Sequence, residues 1–209
     1  MPPTGAVPGT SPELTLATGL RRPTLGQLLR ELAVVLALVV VLYAILGATL
    51  GVVRVAGHSM APALSDGDFL LTNRLDYRFQ APQRGDVVIF RDPYDHTQQF
   101  VKRIVGLPGD DLLIRGGYLY VNGVLLQEPY VVNPWIVTTN WPAFSIGSDG
   151  ETVPADNYFV LGDNRDHSGD SRLFGYITRR QILGRAIATI LPLDHAGTLD
   201  VRPTLARGT

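Results

Sequence analysis

Lys102 is the single lysine in a chain whose 18 Lys and Arg residues are otherwise all arginine. An amine can lose its proton inside a protein, whereas a guanidinium effectively cannot. The one departure from arginine therefore marks a position where a free lone pair has a use. Lys102 sits in FVKRIVGLPGD, an alternating apolar run with Phe100 and Val101 before it and Ile104 and Val105 after. A model lysine is about 0.1% neutral near pH 7.4, but burial lowers its pKa by up to about 3–5 units. A buried Lys102 would then act as a base, and a base needs a proton donor. The candidate is Ser59 in VAGHSMAPAL, because a serine hydroxyl becomes a useful nucleophile once an adjacent base takes its proton. Gly57 permits tight backbone geometry there, and the Met60–Leu64 stretch is expected to be extended, since Pro62 disfavours helix before it.

A second chemical cluster is LGDNRDHSGDSRLFG, residues 161–175, which concentrates Asp163, Arg165, Asp166, Asp170 and Arg172 with Ser168 and Ser171. Alternating Asp and Asn resemble the start of a calcium loop, but the closing Glu is missing and arginines fall among the ligand positions. Salt-bridged support for a neighbouring site fits the composition better. His58 and His167 invite a Ser-His-Asp arrangement, yet Lys102 already fills the base role. No metal ligand set is visible, and the absence of cysteine removes disulfide, zinc-thiolate and thiol chemistry.

These groups need elements to hold them. The 209 residues suit one domain plus an appendage, and 45% apolar with 18% charged residues is a folded composition. A net charge of -1 offers no nucleic-acid footprint. Residues 32–53 carry no charge and are long enough to cross a bilayer as a helix; the run is too long for a cleaved secretory signal. We expect a retained transmembrane signal anchor there, after a flexible cytoplasmic segment 1–31. Arg21, Arg22 and Arg30 precede the span, which by the positive-inside rule leaves the N-terminus cytoplasmic and the rest extracytoplasmic. Residues 54–195 alternate short apolar runs with Gly, Pro and Asp, predicting a mainly β, mostly antiparallel domain. Asn122-Gly123 predicts a type I′ hairpin. An irregular insert is expected near 130–154, carrying Trp135 and Trp141, and a frayed tail over 196–209.

Four blocks in order complete the picture: Ser59-Met60-x-Pro62-x-Leu64, Arg84 to Phe90, Lys102 to Asp110, and Gly162 to Arg172. Together with the preceding span they resemble the bacterial type I signal peptidases. The resemblance implies a signal-peptidase-like β fold and a membrane-bound serine endopeptidase that removes signal peptides after small residues of Ala-x-Ala type. It places the nucleophile at Ser59, the general base at Lys102, and a serine hydrogen-bonded to the lysine amine at Ser168. Asp163, Arg165 and Asp170 fall on supporting positions. Val53, Val55, Phe100 and Val101, with Met60 and Leu64 nearby, fall on the substrate pockets. The implied partners are signal-peptide-bearing preproteins and the lipid bilayer of the cell membrane; no cofactor, metal or nucleic acid is implied. Some members carry a hydroxyl two residues before the nucleophile to complete the oxyanion hole. Gly57 stands there, so a second donor is left open. His167 replaces a usual Asn, and Phe174 a frequent Trp.

Two other classes share parts of this pattern. A self-cleaving repressor-type Ser-Lys peptidase acts in the cytosol, against which the uncharged span counts. A catalytically silent membrane-anchored β module that binds exported partners would be indifferent to loss of Ser59 or Lys102.

Overall fold

A computed structural model describes residues 24–132 and 150–206. It divides into two compact units, residues 1–43 and 44–209. The described part of the first belongs to the helix α1, Leu25–Thr49, and its cap, and the last residues of α1 belong to the second. A capping box starts the helix: Thr24 Oγ1 accepts from Gln27 N, and Gln27 Oε1 accepts from Thr24 N. None of its residues is buried within the protein. The 25 residues rise about 37 Å, enough to cross a hydrocarbon core.

The charge-free run 32–53 and the helix do not coincide. Capping moves the start upstream to include Arg30 and Glu31, while Leu50–Val53 leave the helix for the first strand, β1, Leu50–Arg54. Gly51 is a poor helix residue, and the β-branched pair Val52-Val53 suits a strand. Pairing with β2, Phe69–Asn73, supplies the backbone partners.

The second unit is built of antiparallel strands, as the alternation predicts. The remaining strands are β3 (Val87–Arg91), β4 (Gln99–Gly106), β5 (Asp111–Arg115), β6 (Tyr118–Val121), β7 (Val124–Gln127), β8 (Glu151–Thr152), β9 (Asn157–Leu161), β10 (Ile177–Thr178), β11 (Ile182–Leu191), β12 (Gly197–Thr198) and β13 (Thr204–Leu205). The larger sheet runs β1-β2-β11-β3-β4-β9-β10, with β12 beside β11; the smaller runs β13-β7-β6-β5-β8. Two short helices, α2 (Asp76–Phe79) and α3 (Ser171–Phe174), lie in connections. The Asn122-Gly123 turn has positive φ at both residues, 52° and 76°, as a type I′ turn between β6 and β7 requires.

Three apolar clusters hold the sheets. One joins Leu112, Leu119, Val121, Leu126 and Val153 of the smaller sheet region to Val105, Phe159 and Leu161 of the larger. A second packs Val55, Met60, Leu64 and Leu70 against Val87 and Ile89. A third, around Val88, Phe90, Ile104 and Val160, occupies the opposite side of β3 and β4.

Two expectations about irregular segments are corrected. Residues 196–206 are not frayed: β12 and β13 are paired, Arg202 Nη2 meets Asp86 Oδ1 at 3.1 Å, and Val201 O accepts from Arg103 Nη1 at 2.9 Å. The ends of the 130–154 insert are likewise built in, with Tyr130 and Val153 buried and Glu151–Thr152 forming β8. The interior of that insert, with Trp135 and Trp141, lies outside the described residues.

Candidate active site

Lys102 occupies β4 opposite Val88 of β3. Strand alternation puts it on the face shared with Phe100 and Ile104, and it is only 3% exposed. Its Nζ lies 5.6 Å from the centre of the Phe100 ring. Burial lowers its pKa to about 8; the carboxylates of Asp170 and Asp163 pull upward against this, and the Arg172 guanidinium adds slightly to the lowering. A charged amine has lost water here without gaining a direct ion pair.

Lys102 Nζ donates to Ser59 Oγ at 2.6 Å. The two residues are far apart in sequence and are brought together by a turn that follows β1. This turn corrects the extended conformation expected for residues 60–64. Ala61 N donates to His58 O and Leu64 N to Met60 O, closing the chain on itself. Met60 and Leu64, both 1% exposed, plug the turn into the core below. Gly57, at φ 91°, makes the reversal sterically cheap. Its N–H is occupied by Asp66 Oδ1 at 2.7 Å, so it is not a free oxyanion donor. The Ser59 N–H has no hydrogen-bond acceptor among the described residues.

The 162–172 loop clamps this turn from the other side. Asn164 N donates to Ser59 O at 3.0 Å, and Asn164 Nδ2 donates to His58 O at 3.1 Å. Gly162 is required by close approach, since a Cβ there would meet Ser168 Oγ at 2.3 Å and Ser59 O at 2.4 Å. Asp170, fully buried, accepts from Gly162 N at 3.0 Å and from Arg172 Nε at 2.7 Å, and it caps α3. Asp163 receives both Nε and Nη2 of Arg103, at 2.9 and 2.7 Å, tying the loop to β4 one residue past Lys102. Arg165 reaches Glu128 at 2.9 and 2.5 Å and Gly162 O at 3.0 Å. Bidentate pairs of this kind fix orientation as well as distance.

The Ser168 hydroxyl is buried beside Gly162 without a hydrogen-bond partner among the described residues. The bond to Lys102 that the resemblance implies is thus not formed in this conformation. Nothing in the sequence assigns a role to Glu128, Arg103 or Tyr130. Glu128 neutralises Arg165, and the Tyr130 ring stacks 4.0 Å from the Arg103 guanidinium. A lone Glu two residues before a tyrosine carries no local signal; only the fold brings it to a buried arginine.

A cavity of about 320 Å³ opens at the Ser59–Lys102 pair. Val53, Val55, Met60, Phe100 and Val101 line it, with His58 and His167 at its margin. Leu64, expected nearby, does not: its side chain serves the core beneath Met60. Two open backbone edges flank the cavity. Among the described strands β1 pairs only with β2, and β9 joins β4 only from Arg103 onward, leaving Gln99–Lys102 free on that side. Among the described residues no group of three or more His, Asp or Glu is arranged to hold a metal.

A serine hydroxyl thus lies against a buried amine at the head of an apolar groove. The family model "Signal peptidase, peptidase S26" matches residues 28–191. This chain belongs to that family. Signal peptidase I of Leptolyngbya laminosa is 36% identical over 157 residues, covering 72% of this chain and 73% of the relative. A probable signal peptidase I of Synechocystis is 38% identical over 151 residues, covering 69% and 65%. A signal peptidase I of Bacillus subtilis is 39% identical over 136 residues, covering 63% and 80%. The chain is a serine peptidase, a hydrolase with signal peptidase I function, and its apolar helix is consistent with membrane anchoring.

Proposed function

We propose that this chain is a single-pass membrane endopeptidase that cleaves exported preproteins after small residues of Ala-x-Ala type, with Ser59 as nucleophile and neutral Lys102 as general base. The observation that carries the proposal is the 2.6 Å contact between Ser59 Oγ and a buried Lys102 whose pKa is lowered to about 8. With that pKa about a quarter of the amine is neutral at pH 7.5, about two hundred times the neutral fraction of a solvated lysine.

In the reaction Ser59 Oγ attacks the scissile carbonyl as its proton moves to Lys102 Nζ. The resulting ammonium then protonates the leaving amine. The neutral amine next takes a proton from water, which opens the acyl-enzyme. The unengaged Ser59 N–H is the proposed oxyanion donor, of a kind worth about 3–4 kcal/mol in the transition state. Ser168 offers a free buried acceptor for a second proton of the Lys102 ammonium. Asp163, Arg165 and Asp170 act through the Ser59 turn as positioning residues.

The free edges of β1 and β4 suit a substrate strand lying between them. Alternate side chains of that strand would enter the apolar cavity, which favours small residues one and three before the cut. For α1, the arginines before the span favour a cytoplasmic N-terminus, with the β unit extracytoplasmic at the cell membrane. The same reading assigns residues 1–31 to the cytoplasmic segment and 54–195 to the body of the catalytic domain, extended by β1 and the paired C-terminal strands.

Cleavage of a purified preprotein by wild type, Ser59→Ala and Lys102→Arg tests the assignment. Both variants should lose nearly all activity while remaining folded. Normal cleavage by Lys102→Arg would remove the dyad, because arginine stays protonated. Normal function of the Ser59→Ala variant would favour the silent binding module.

A further inference from the structure

Beside the peptide groove, and sharing Val53 and Gln99 with it, lies a second cavity of about 310 Å³. Its walls include Val53, Ile89 and Leu183, and its mouth carries the exposed side chains of Arg74, Arg91 and Gln99. Arg91 and Gln99 are cross-strand partners on β3 and β4. Arg74 comes from the opposite side, just past β2. A Cβ on Gly51 would stand 2.8 Å from Arg74 Nε, so the absence of a side chain there leaves room for the guanidinium to lie across β1.

Neither Arg74 nor Arg91 makes an ion pair or side-chain hydrogen bond with any described residue. The arginines that hold the fold, Arg84, Arg103, Arg165 and Arg172, are each matched to a carboxylate. Among the described residues no acidic side chain lines this cavity. Two unmatched guanidinium groups over a floor that is apolar at Val53, Ile89 and Leu183 and polar at Thr72 are complementary to an anionic amphiphile, since guanidinium binds phosphate oxygens in a planar, two-point manner.

The cavity is also tied to the end of α1. Arg74 N donates to Thr49 O, the last helical residue, at 2.9 Å. Val53 follows Thr49 by four positions, a reach of at most about 14 Å even when fully extended. If α1 ends where the hydrocarbon ends, the chain cannot carry this cavity far beyond the headgroup layer, which adds about 5–8 Å per leaflet. We propose that Arg74 and Arg91 form a binding site for the phosphodiester of an anionic phospholipid, with the apolar wall receiving the glycerol and first acyl carbons. This rests on the membrane-anchored reading of α1. It adds a lipid ligand beside the peptide groove.

The test uses the full chain in neutral detergent micelles, titrated with dihexanoyl phosphatidylglycerol and read by native mass spectrometry and by the shift in Tm. Dihexanoyl phosphatidylcholine, inorganic phosphate and a short Glu-containing peptide serve as competitors. Wild type should bind phosphatidylglycerol at least about tenfold more tightly than Arg74→Gln/Arg91→Gln. Both residues are exposed and unpaired, so the double variant should keep the wild-type Tm without lipid. Should it not, Arg91→Gln alone is expected to weaken binding about threefold or more. Equal binding by wild type and variant would overturn the proposal, as would equal affinity for phosphatidylcholine. Displacement of lipid by equimolar phosphate would assign the site to the free anion, and tighter binding of the acidic peptide would assign it to substrate; either result defeats the lipid proposal. Carbonate extraction of wild type from vesicles examines anchoring by itself. Retention without headgroup selectivity defeats only the lipid site, whereas extraction defeats the anchor and this inference with it.

Discussion

The depressed pKa of Lys102 makes the pH dependence of catalysis calculable. If neutral Lys102 is the base, kcat/KM follows its neutral fraction in the free enzyme. With a pKa of about 8, that fraction is about 1% at pH 6, 9% at pH 7 and 50% at pH 8. The rate should therefore rise about tenfold from pH 6 to 7, about fivefold from 7 to 8, and less than twofold from 8 to 10. A fluorogenic signal-peptide substrate without titrating side chains measures this directly. Phe100→Ala admits water beside Nζ, which lies 5.6 Å from the ring centre, and so should move the midpoint upward. The same shift has a stability counterpart. Below pH 8 the amine is charged in both folded and unfolded chains, and the folded chain bears its desolvation. As pH rises from about 8 towards 10.5 the folded chain releases its proton first, so stability increases. The difference from the ordinary value of 10.5 amounts to about 3 kcal/mol. Lys102→Met, which carries no charge, should accordingly be more stable than wild type at pH 6–7, with the advantage shrinking at high pH. A rate still climbing tenfold between pH 9 and 10, or one flat from pH 6, would refute the reasoning.

Other consequences follow from the support and the groove. Arg103→Met strands the buried Asp163 carboxylate and should cost about 3–5 kcal/mol in urea denaturation; Arg103→Met/Asp163→Leu should recover a large part of it. Val101→Phe fills the peptide cavity and should lower kcat/KM for substrates with Val at the third position before the cut by at least about tenfold more than for Ala. Activity should survive EDTA, and loss in EDTA restored by one added metal would contradict the Ser-Lys mechanism.

Much of the candidate site was legible because its proposed chemistry rests on residue type. One lysine among arginines singled out position 102, and the short loop at 161–175 advertised a buried ionic network through its density of opposite charges. The strand alternation and the Asn122-Gly123 turn likewise follow from local backbone and packing preferences. Elsewhere local signals misled. Pro62 suggested extension, but hydrogen bonds from Ala61 and Leu64 close a turn there. The C-terminal residues looked frayed because nothing in their sequence reveals that Asp86 and Arg103 await them.

By itself the sequence determined that a deprotonatable amine, a serine after a glycine and a segment long and apolar enough to cross a bilayer coexist with β strands, since each is a property of composition or short-range pattern. Only the tertiary structure decided what those groups do to one another. The 2.6 Å contact between Ser59 and Lys102, the choice of Glu128 as partner for Arg165, and the occupation of the Gly57 N–H by Asp66 all depend on where the sheets bring distant segments together. The lowered pKa of Lys102 belongs to the same category, because desolvation is a property of the packed surroundings and not of the residue.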